Sequence, residues 1–357
     1  FGIPIVTTWA MIDLVDHEHP LYVGTFGTHG QRHTNFAVQN SDLIIALGTR
    51  LDSKATGTPV NSFARDSQKI MVDVDKAELD KFENLSVKID LKINDDLKDI
   101  KKINLDNLNL SKQSGFKDWI EKIKVWREKF YFKDQNYQQA EAKTINPYKF
   151  FSVLSKAIHK NTNIIFDTGC SLAWGMQGFS CKKNIRIYHD FNNTAMGWAL
   201  PASIGSHFGS IDSDTICITG DGSFMMSIQE LAVIKKHNIP VKIFLFNNSG
   251  YSMIQQTQEQ WLDSNYFASS IEGGLDFPEY QNISEAFNLE YVTIKDDVNL
   301  ENTISEVLDS KQATLCNVVI SPKMRVTPQV KAGRPNEDME PLLSEQELRD
   351  EMIIGTI

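Results

Sequence analysis

Short apolar runs alternate with stretches of helical periodicity along most of the chain, and this alternation predicts an α/β fold. Residues 43–47, 70–74, 164–166, 215–219, 241–246 and 315–320 are rich in Ile, Val, Leu and Phe, as parallel strands covered on both faces are. Between the strands at 215–219 and 241–246, a helix over 227–236 puts Ile228, Leu231, Ala232 and Ile234 on one stripe. A helix is expected over 148–158 and a turn leading into a helix over 59–63. Trp119, Ile123, Trp126 and Phe130 recur at helical spacing, which suits core packing better than a cofactor role. Ser344 and Glu347 form a capping box ahead of a short helix over 344–352.

These elements predict two doubly wound parallel-sheet domains. The first spans 1–103. A linker over 104–145, opening in Lys, Asp and Asn, carries the amphipathic helix; the second domain spans 146–322. The tail, 323–357, holds Pro328, Pro335 and Pro341 and reads as an extended, surface-wrapping segment. A chain of 357 residues is long for a single core. The net charge of −10 disfavours nucleic acid and anionic membrane as partners, though not a locally bound anion. No apolar run approaches the length that spans a bilayer and no signal peptide is visible, so the expected location is the cytoplasm. Cys170, Cys181, Cys217 and Cys316 show no metal spacing and are expected as buried free thiols.

Gly220-Asp221-Gly222 follows one predicted strand and Asn247-Asn248 follows the next, so the two exit loops should lie side by side at the edge where an open α/β sheet binds ligands. Gly220 and Gly222 allow backbone to approach a phosphate, and a following helix directs free N–H groups at an anion. Asp221 supplies one hard oxygen, the Asn248 side chain a second and the Gly250 carbonyl a third. Mg²⁺ takes about six oxygens and commonly draws the remainder from phosphate and water. A diphosphate bridged by Mg²⁺ fits this set, whereas Gly-Asp-Gly alone would read equally well as a plain turn.

This pattern resembles the thiamine diphosphate enzymes, whose signature is GDG followed by about thirty residues and NN. It is most similar to their acetolactate synthase (acetohydroxyacid synthase) branch. The segment Thr194-Ala-Met-Gly-Trp-Ala-Leu-Pro-Ala-Ser-Ile-Gly205 looks like that family's T-M-G-x-x-L-P-A-A-I-G. Gly27-Thr-His-Gly30 and the run from Ala37 to Arg50 resemble its central, Rossmann-like domain. The likeness covers most of residues 1–325.

The resemblance implies a thiamine diphosphate- and Mg²⁺-dependent carboligase or decarboxylase acting on a 2-oxo acid. In such enzymes the thiazolium adds to the substrate carbonyl and accepts the electron pair as carbon dioxide leaves. Met196 would be the apolar prop under the bent cofactor. Thr168, Gly169, Ser171, Thr194, Gly220, Gly222 and Ser223 would surround it, and Tyr251, Ser252, Met253 and Ile254 would line the cofactor and substrate cavity. Asp167 reads as a cap of the following helix or a turn residue. Relatives usually carry Gln-His where this chain has Leu172-Ala173, so other donors must replace that diphosphate clamp. Thr257 stands where acetolactate synthases carry a Trp that favours the larger acceptor. Flavin adenine dinucleotide (FAD) is a further candidate ligand, through His29, Gly30, Gly48, Arg50, Asp73 and Asp75, but structural use of these residues is the favoured reading.

Relatives carry an activating glutamate in a first domain, and this sequence is expected to begin part-way through the central one. The chain alone is therefore expected to be inactive, and the complete protein a homodimer or homotetramer. Readings kept beside this are an aldehyde-releasing decarboxylase, a non-catalytic cofactor-binding fragment and a flavin electron carrier.

Overall fold

The computed structural model describes residues 2–100, 115–135 and 141–357. The chain forms two units: Phe1–Trp9, His19–Tyr137 and Thr327–Ile357 make the first, and Ala10–Glu18 and Gln138–Val326 the second.

In the first unit β1 (Ile5–Thr7) and β2 (Tyr22–Thr25) form a parallel pair, followed by α1 (Arg32–Gln39). Strands β3 (Leu43–Leu47), β4 (Gln68–Asp73) and β5 (Leu91–Asn94) form a second parallel sheet in that order. Short helices α2 (Ser53–Thr56), α3 (Lys76–Asp80) and α4 (Leu97–Ile100) follow these strands in turn. Asp52 and Asp75 cap α2 and α3 by accepting backbone N–H bonds, which satisfies donors no helix can satisfy internally. The turn expected over 59–63 is a 3-10 turn, Val60–Ser62, but no helix follows it, because the chain becomes extended at Phe63 and buries that ring against Phe26. Helix α5 (Gly115–Gln135) buries Ile123, Trp126 and Phe130 around Phe36 of α1, so its aromatic stripe is core.

The second unit is a six-stranded, all-parallel sheet. Its elements are α6 (Pro147–Ala157), β6 (Thr162–Phe166), α7 (Cys170–Gly178), β7 (Ile185–His189), α8 (Ala199–Gly209), β8 (Asp214–Gly220), α9 (Asp221–Met226), α10 (Leu231–His237), β9 (Lys242–Asn247), α11 (Ser252–Trp261), α12 (Tyr280–Ala286), β10 (Glu290–Ile294), α13 (Leu300–Asp309) and β11 (Thr314–Val319). The strand order is β10-β11-β9-β8-β6-β7. Alternate residues of the central strands serve opposite faces. Ile165, Cys217, Ile243, Leu245 and Leu315 bury themselves with Leu200, Phe224, Leu231 and Tyr280 in one layer. Phe166, Phe244 and Phe246 meet Phe150, Phe151 and Trp174 in the other, with ring centroids 5.1–6.3 Å apart. Both faces being covered explains why these strands read as continuous apolar runs.

From β6 the chain crosses to β7 on one side, and from β8 it crosses to β9 on the other. The adjacent carboxyl ends of β6 and β8 therefore form the topological switch point, where the exit loops diverge and leave a crevice. All four cysteines are buried free thiols, and burial pushes Cys170 and Cys181 up to about 12.

The tail returns to the first unit. Strands β12 (Gln329–Val330) and β13 (Met339–Glu340) pair antiparallel, and α14 (Glu345–Glu351) begins with the Ser344–Glu347 capping box. Arg32, which is 1% exposed, donates to the carbonyls of Met339 (3.1 Å) and Pro341 (2.8 Å). Asn35 donates to the Asn336 carbonyl, and buried Glu337 accepts from Gln39 (2.5 Å) and Arg65 (2.8 Å). Trp126 Nε1 donates to Glu351 at 2.7 Å. No helix of the described residues is long and apolar enough to cross a membrane.

His33 in α1 donates Nε2–H to the Val23 carbonyl at 3.1 Å, and burial first, then Arg127, pulls its pKa down to about 3 from 6.5. Between those values the unfolded chain takes up a proton that the folded chain refuses, so stability falls as pH drops below 6.5. At pH 5 this costs about 2 kcal/mol relative to pH 7. His33→Gln keeps a donor for Val23 and should flatten the pH dependence of the urea midpoint between pH 7 and 5 by about that amount. An unchanged slope would place the acid sensitivity elsewhere.

Candidate functional site

At the end of β8 the helix starts earlier than the sequence pattern indicates. Gly220 is its N-cap, and Asp221, Gly222 and Ser223 lie in the first turn of α9; they do not form a free loop. The helix expected over 227–236 is thus broken into α9, a 3-10 turn (Ile228–Glu230) and α10. Asp221 is 2% exposed. Its Oδ1 accepts from Gly222 N–H (2.7 Å), and its Oδ2 accepts from the N–H groups of Asn248 (3.1 Å) and Gly250 (3.2 Å). Ser249 takes a left-handed φ of 55°, which turns the chain sharply after β9. Burial pushes Asp221 up to about 7 even against these donors.

One end of the Asn248 amide meets Ser252 Oγ. The other end lies 3.3 Å from Asp221 Oδ2 and 2.7 Å from the Gly250 carbonyl oxygen. With its NH₂ turned that way the amide donates to both. With its carbonyl turned that way three oxygens face one another, an arrangement that a cation would hold together. Among the described residues no group of three His, Cys, Asp or Glu side chains could hold a metal, so a set with one carboxylate and two neutral oxygens is the candidate here.

Gly222 is required by its neighbours. A Cβ there would stand 2.1 Å from the Tyr251 ring and 3.1 Å from Met196 Cε, whereas a Cβ on Gly220 would meet nothing within 4 Å. The fold therefore brings Met196, Gly222 and Tyr251 together. Thr194 and Gly197 flank Met196 with positive φ of 50° and 85°, and they form the entry to α8. At the end of β6, Gly169 caps α7 with φ 78°, and Ser171 Oγ donates to the Thr168 carbonyl at 3.1 Å. Leu172 and Ala173 are buried in α7 and serve packing.

Asp167 caps neither its own helix nor a simple turn alone. Beyond Thr168 N–H, its carboxylate accepts from Gly197 and Ala199 N–H, at the start of α8. Burial raises its pKa, opposed by those bonds and one from Ser223. The sequence carried no signal for this, because the α8 partners lie thirty and more residues away.

Along α11, Ser252 is buried, Tyr251 and Met253 are partly buried, and Ile254 is 46% exposed. The polar run at 255–258 acts as a fastener: Gln255 donates to the Ser269 carbonyl (2.6 Å), Gln256 to Val326 (3.1 Å) and Gln258 to Phe267 (3.0 Å). Thr257 is exposed and donates back to the Met253 carbonyl.

The flavin candidates lie in the first unit. Asp73 accepts from Asp75 N–H at 2.9 Å, Asp75 caps α3, and Arg50 stands 4.0 Å from both Asp52 and Glu78. Gly30 closes a turn in which a Cβ would meet Gly27 N at 2.7 Å, and Gly48 has φ 60°. His29 lies 5.5 Å from the Trp9 ring, and burial with nearby Lys54 brings its pKa to about 4.

A family model described as "Thiamine pyrophosphate enzyme, C-terminal TPP binding domain" matches residues 167–318. A second, "Thiamine pyrophosphate enzyme, central domain", matches residues 1–100. The chain is 30% identical over 342 residues to the acetolactate synthase large subunit of Porphyra purpurea, covering 95% of this chain and 56% of that protein. It is 28% identical over 339 residues to that of Cyanidium caldarium, covering 94% of this chain and 56% of that protein. With the acetolactate synthase isozyme 1 large subunit of Escherichia coli (strain K12) it shares 27% identity over 340 residues, 94% of this chain and 57% of that protein. The chain thus spans little more than half the length of these relatives.

Gly222→Ala should destabilise the second unit by roughly 1–3 kcal/mol through overpacking against Tyr251 and Met196. Gly220→Ala should lie within about 1 kcal/mol of wild type. Paired thermal melts test this, and equal losses would contradict the crowding described around Gly222.

Proposed function

The chain belongs to the thiamine pyrophosphate enzyme family, and we propose that it forms the diphosphate- and metal-binding part of an acetolactate synthase-like enzyme. In this reading the whole protein is a carboligase or decarboxylase acting on a 2-oxo acid, assembled as a homo-oligomer. One observation carries the proposal: Asp221 Oδ2, the Asn248 amide and the Gly250 carbonyl converge where β8 and β9 end, beside the switch point. The names of the relatives support the reaction class.

Asp221, Asn248 and Gly250 would hold Mg²⁺, leaving its other positions to diphosphate and water. A cation there answers the cost of burying the Asp221 charge, because it neutralises the carboxylate and accepts the Asn248 and Gly250 oxygens. Thr168 offers a hydroxyl near the same strand ends for the diphosphate, and Ser171 would join it by releasing the Thr168 carbonyl, while the Ser223 hydroxyl is held by Asp167. Gly222, lacking a side chain, leaves room for Met196 and Tyr251 to meet beside it. When bound, thiamine diphosphate supplies the electron sink for loss of carbon dioxide. The part played by Met196 is to prop its ring junction with a flexible apolar side chain. Asp73, Asp75 and Arg50 are read as structural, since each is engaged in a cap, turn or ion pair of its own loop.

Asp221→Ala should lower Mg²⁺-dependent thiamine diphosphate affinity on the order of a hundredfold or more, because the only charged ligand is lost. Asn248→Ala, which removes a neutral oxygen, should weaken it less. Calorimetric titration decides between these, and equal affinity in wild type and Asp221→Ala would overturn the metal assignment.

Met196→Ala in the complete enzyme should lower kcat on the order of a hundredfold with little change in cofactor affinity, since a misplaced reactive group loses about that much. A residue that only packed the core would instead cost roughly 2–5 kcal/mol of stability. Comparing kcat per folded molecule with the melting temperature separates the two, and a large drop in Tm at unchanged kcat would make Met196 a packing residue.

A further inference from the structure

We propose that Asp167 is a positioning residue for Met196: its buried carboxylate at the end of β6 ties the Met196 loop and the start of α9 to one point, and so sets where the Met196 side chain stands beside Gly222. The inference rests on the function proposed above, but its geometry stands on its own.

Asp167 is 3% exposed. Its Oδ1 accepts from the N–H groups of Thr168 (3.0 Å) and Gly197 (3.1 Å), and its Oδ2 accepts from Ala199 N–H (2.9 Å). The Ser223 hydroxyl donates to the same carboxylate. One side chain thereby joins three segments that diverge from the switch point: the exit of β6, the entry to α8 and the first turn of α9.

Met196 lies between two anchors. On its N-terminal side, Ala195 N–H donates to Asp190 Oδ2 (3.2 Å) and Thr194 N–H to the Asp190 carbonyl (2.7 Å). On its C-terminal side, Gly197 N–H donates to Asp167. Asp190 is partly exposed, so water competes for its bonds; Asp167 is buried, and its bonds are the stiffer ones. Gly197 must also lie flat against α9, since a Cβ there would stand 3.0 Å from Met226 Cβ and 3.3 Å from the Ser223 carbonyl. A displacement of Gly197 therefore moves Met196 relative to Gly222 directly.

Burying a carboxylate at a strand end is costly unless several donors satisfy it. A packing residue would not need that charge. Two oxygens that serve four donors on three segments do need it, because a neutral amide presents one acceptor where this carboxylate presents two.

The test compares Asp167→Asn and Asp167→Glu with wild type in the complete protein. Three readouts are used: hydrogen–deuterium exchange of residues 194–199, calorimetric affinity for thiamine diphosphate with Mg²⁺, and kcat per folded molecule. Asp167→Asn is isosteric but turns an NH₂ toward Ala199 N–H or Gly197 N–H. Exchange at those amides should rise at least tenfold while β8 and β9 stay protected. Cofactor affinity should stay within about threefold and kcat should fall on the order of a hundredfold. Asp167→Glu keeps the charge on a longer arm, so it should leave exchange low yet still reduce kcat, and it serves as the reading if Asp167→Asn does not fold. Wild-type exchange at 194–199 in Asp167→Asn, or kcat unchanged in Asp167→Glu, would overturn the proposal. Failure of wild type to bind thiamine diphosphate would refute the proposed function, while the exchange result would still decide whether Asp167 anchors the loop.

Discussion

The arrangement of the second unit depends on how two negative charges are kept out of water at neighbouring strand ends. Asp167 and Asp221 leave β6 and β8, the pair between which the crossovers diverge. A carboxylate in that position must be surrounded by donors, and in a parallel sheet the nearest donors are backbone N–H groups of other loops. Asp221 recruits the turn after β9, and Asp167 recruits the entry to α8. Burial of charge thus becomes a means of fixing loops that have no regular structure of their own. The two sets meet at α9, where Ser223 answers Asp167 and Gly222 answers Asp221.

Around this point the two faces of the sheet behave differently. The side carrying α6 and α7 is an aromatic layer, whose edge-on and stacked rings resist sliding. The other side, carrying α8 to α10 and α12, is mainly aliphatic. Glutamines of α11 fix the segments that follow it, so the helix after the candidate metal site is held by hydrogen bonds that its side-chain amides donate to backbone carbonyls.

Much of this was legible in the chain. The strands at 215–219 and 241–246 could be read because both faces bury them, and the spacing of Gly220-Asp221-Gly222 to Asn247-Asn248 follows from one crossover between neighbouring strands. What could not be read depended on partners distant in sequence. Asp221 looks like the centre of a turn until β9 is placed beside it; then it is the first residue of a helix. Nothing in the sequence points Gln255, Gln256 and Gln258 to their partners, because the carbonyls they hold belong to residues from 267 to 326. Edge strands such as β7, half exposed, gave too weak a pattern to be singled out.

The route of the chain has a consequence for biosynthesis. The first unit contains residues from before and after Gln138–Val326, the stretch that makes up most of the second unit. During translation, Arg32, Asn35 and Gln39 emerge about three hundred residues before the carbonyls and carboxylate that satisfy them. The six-stranded sheet, by contrast, is complete as soon as β11 has left the ribosome. The unit that begins first therefore finishes last, and until the tail arrives Arg32, Asn35 and Gln39 lack the bonds they make to it. A nascent chain whose emerged part ends just after Val326 would hold a finished second unit and an unfinished first one.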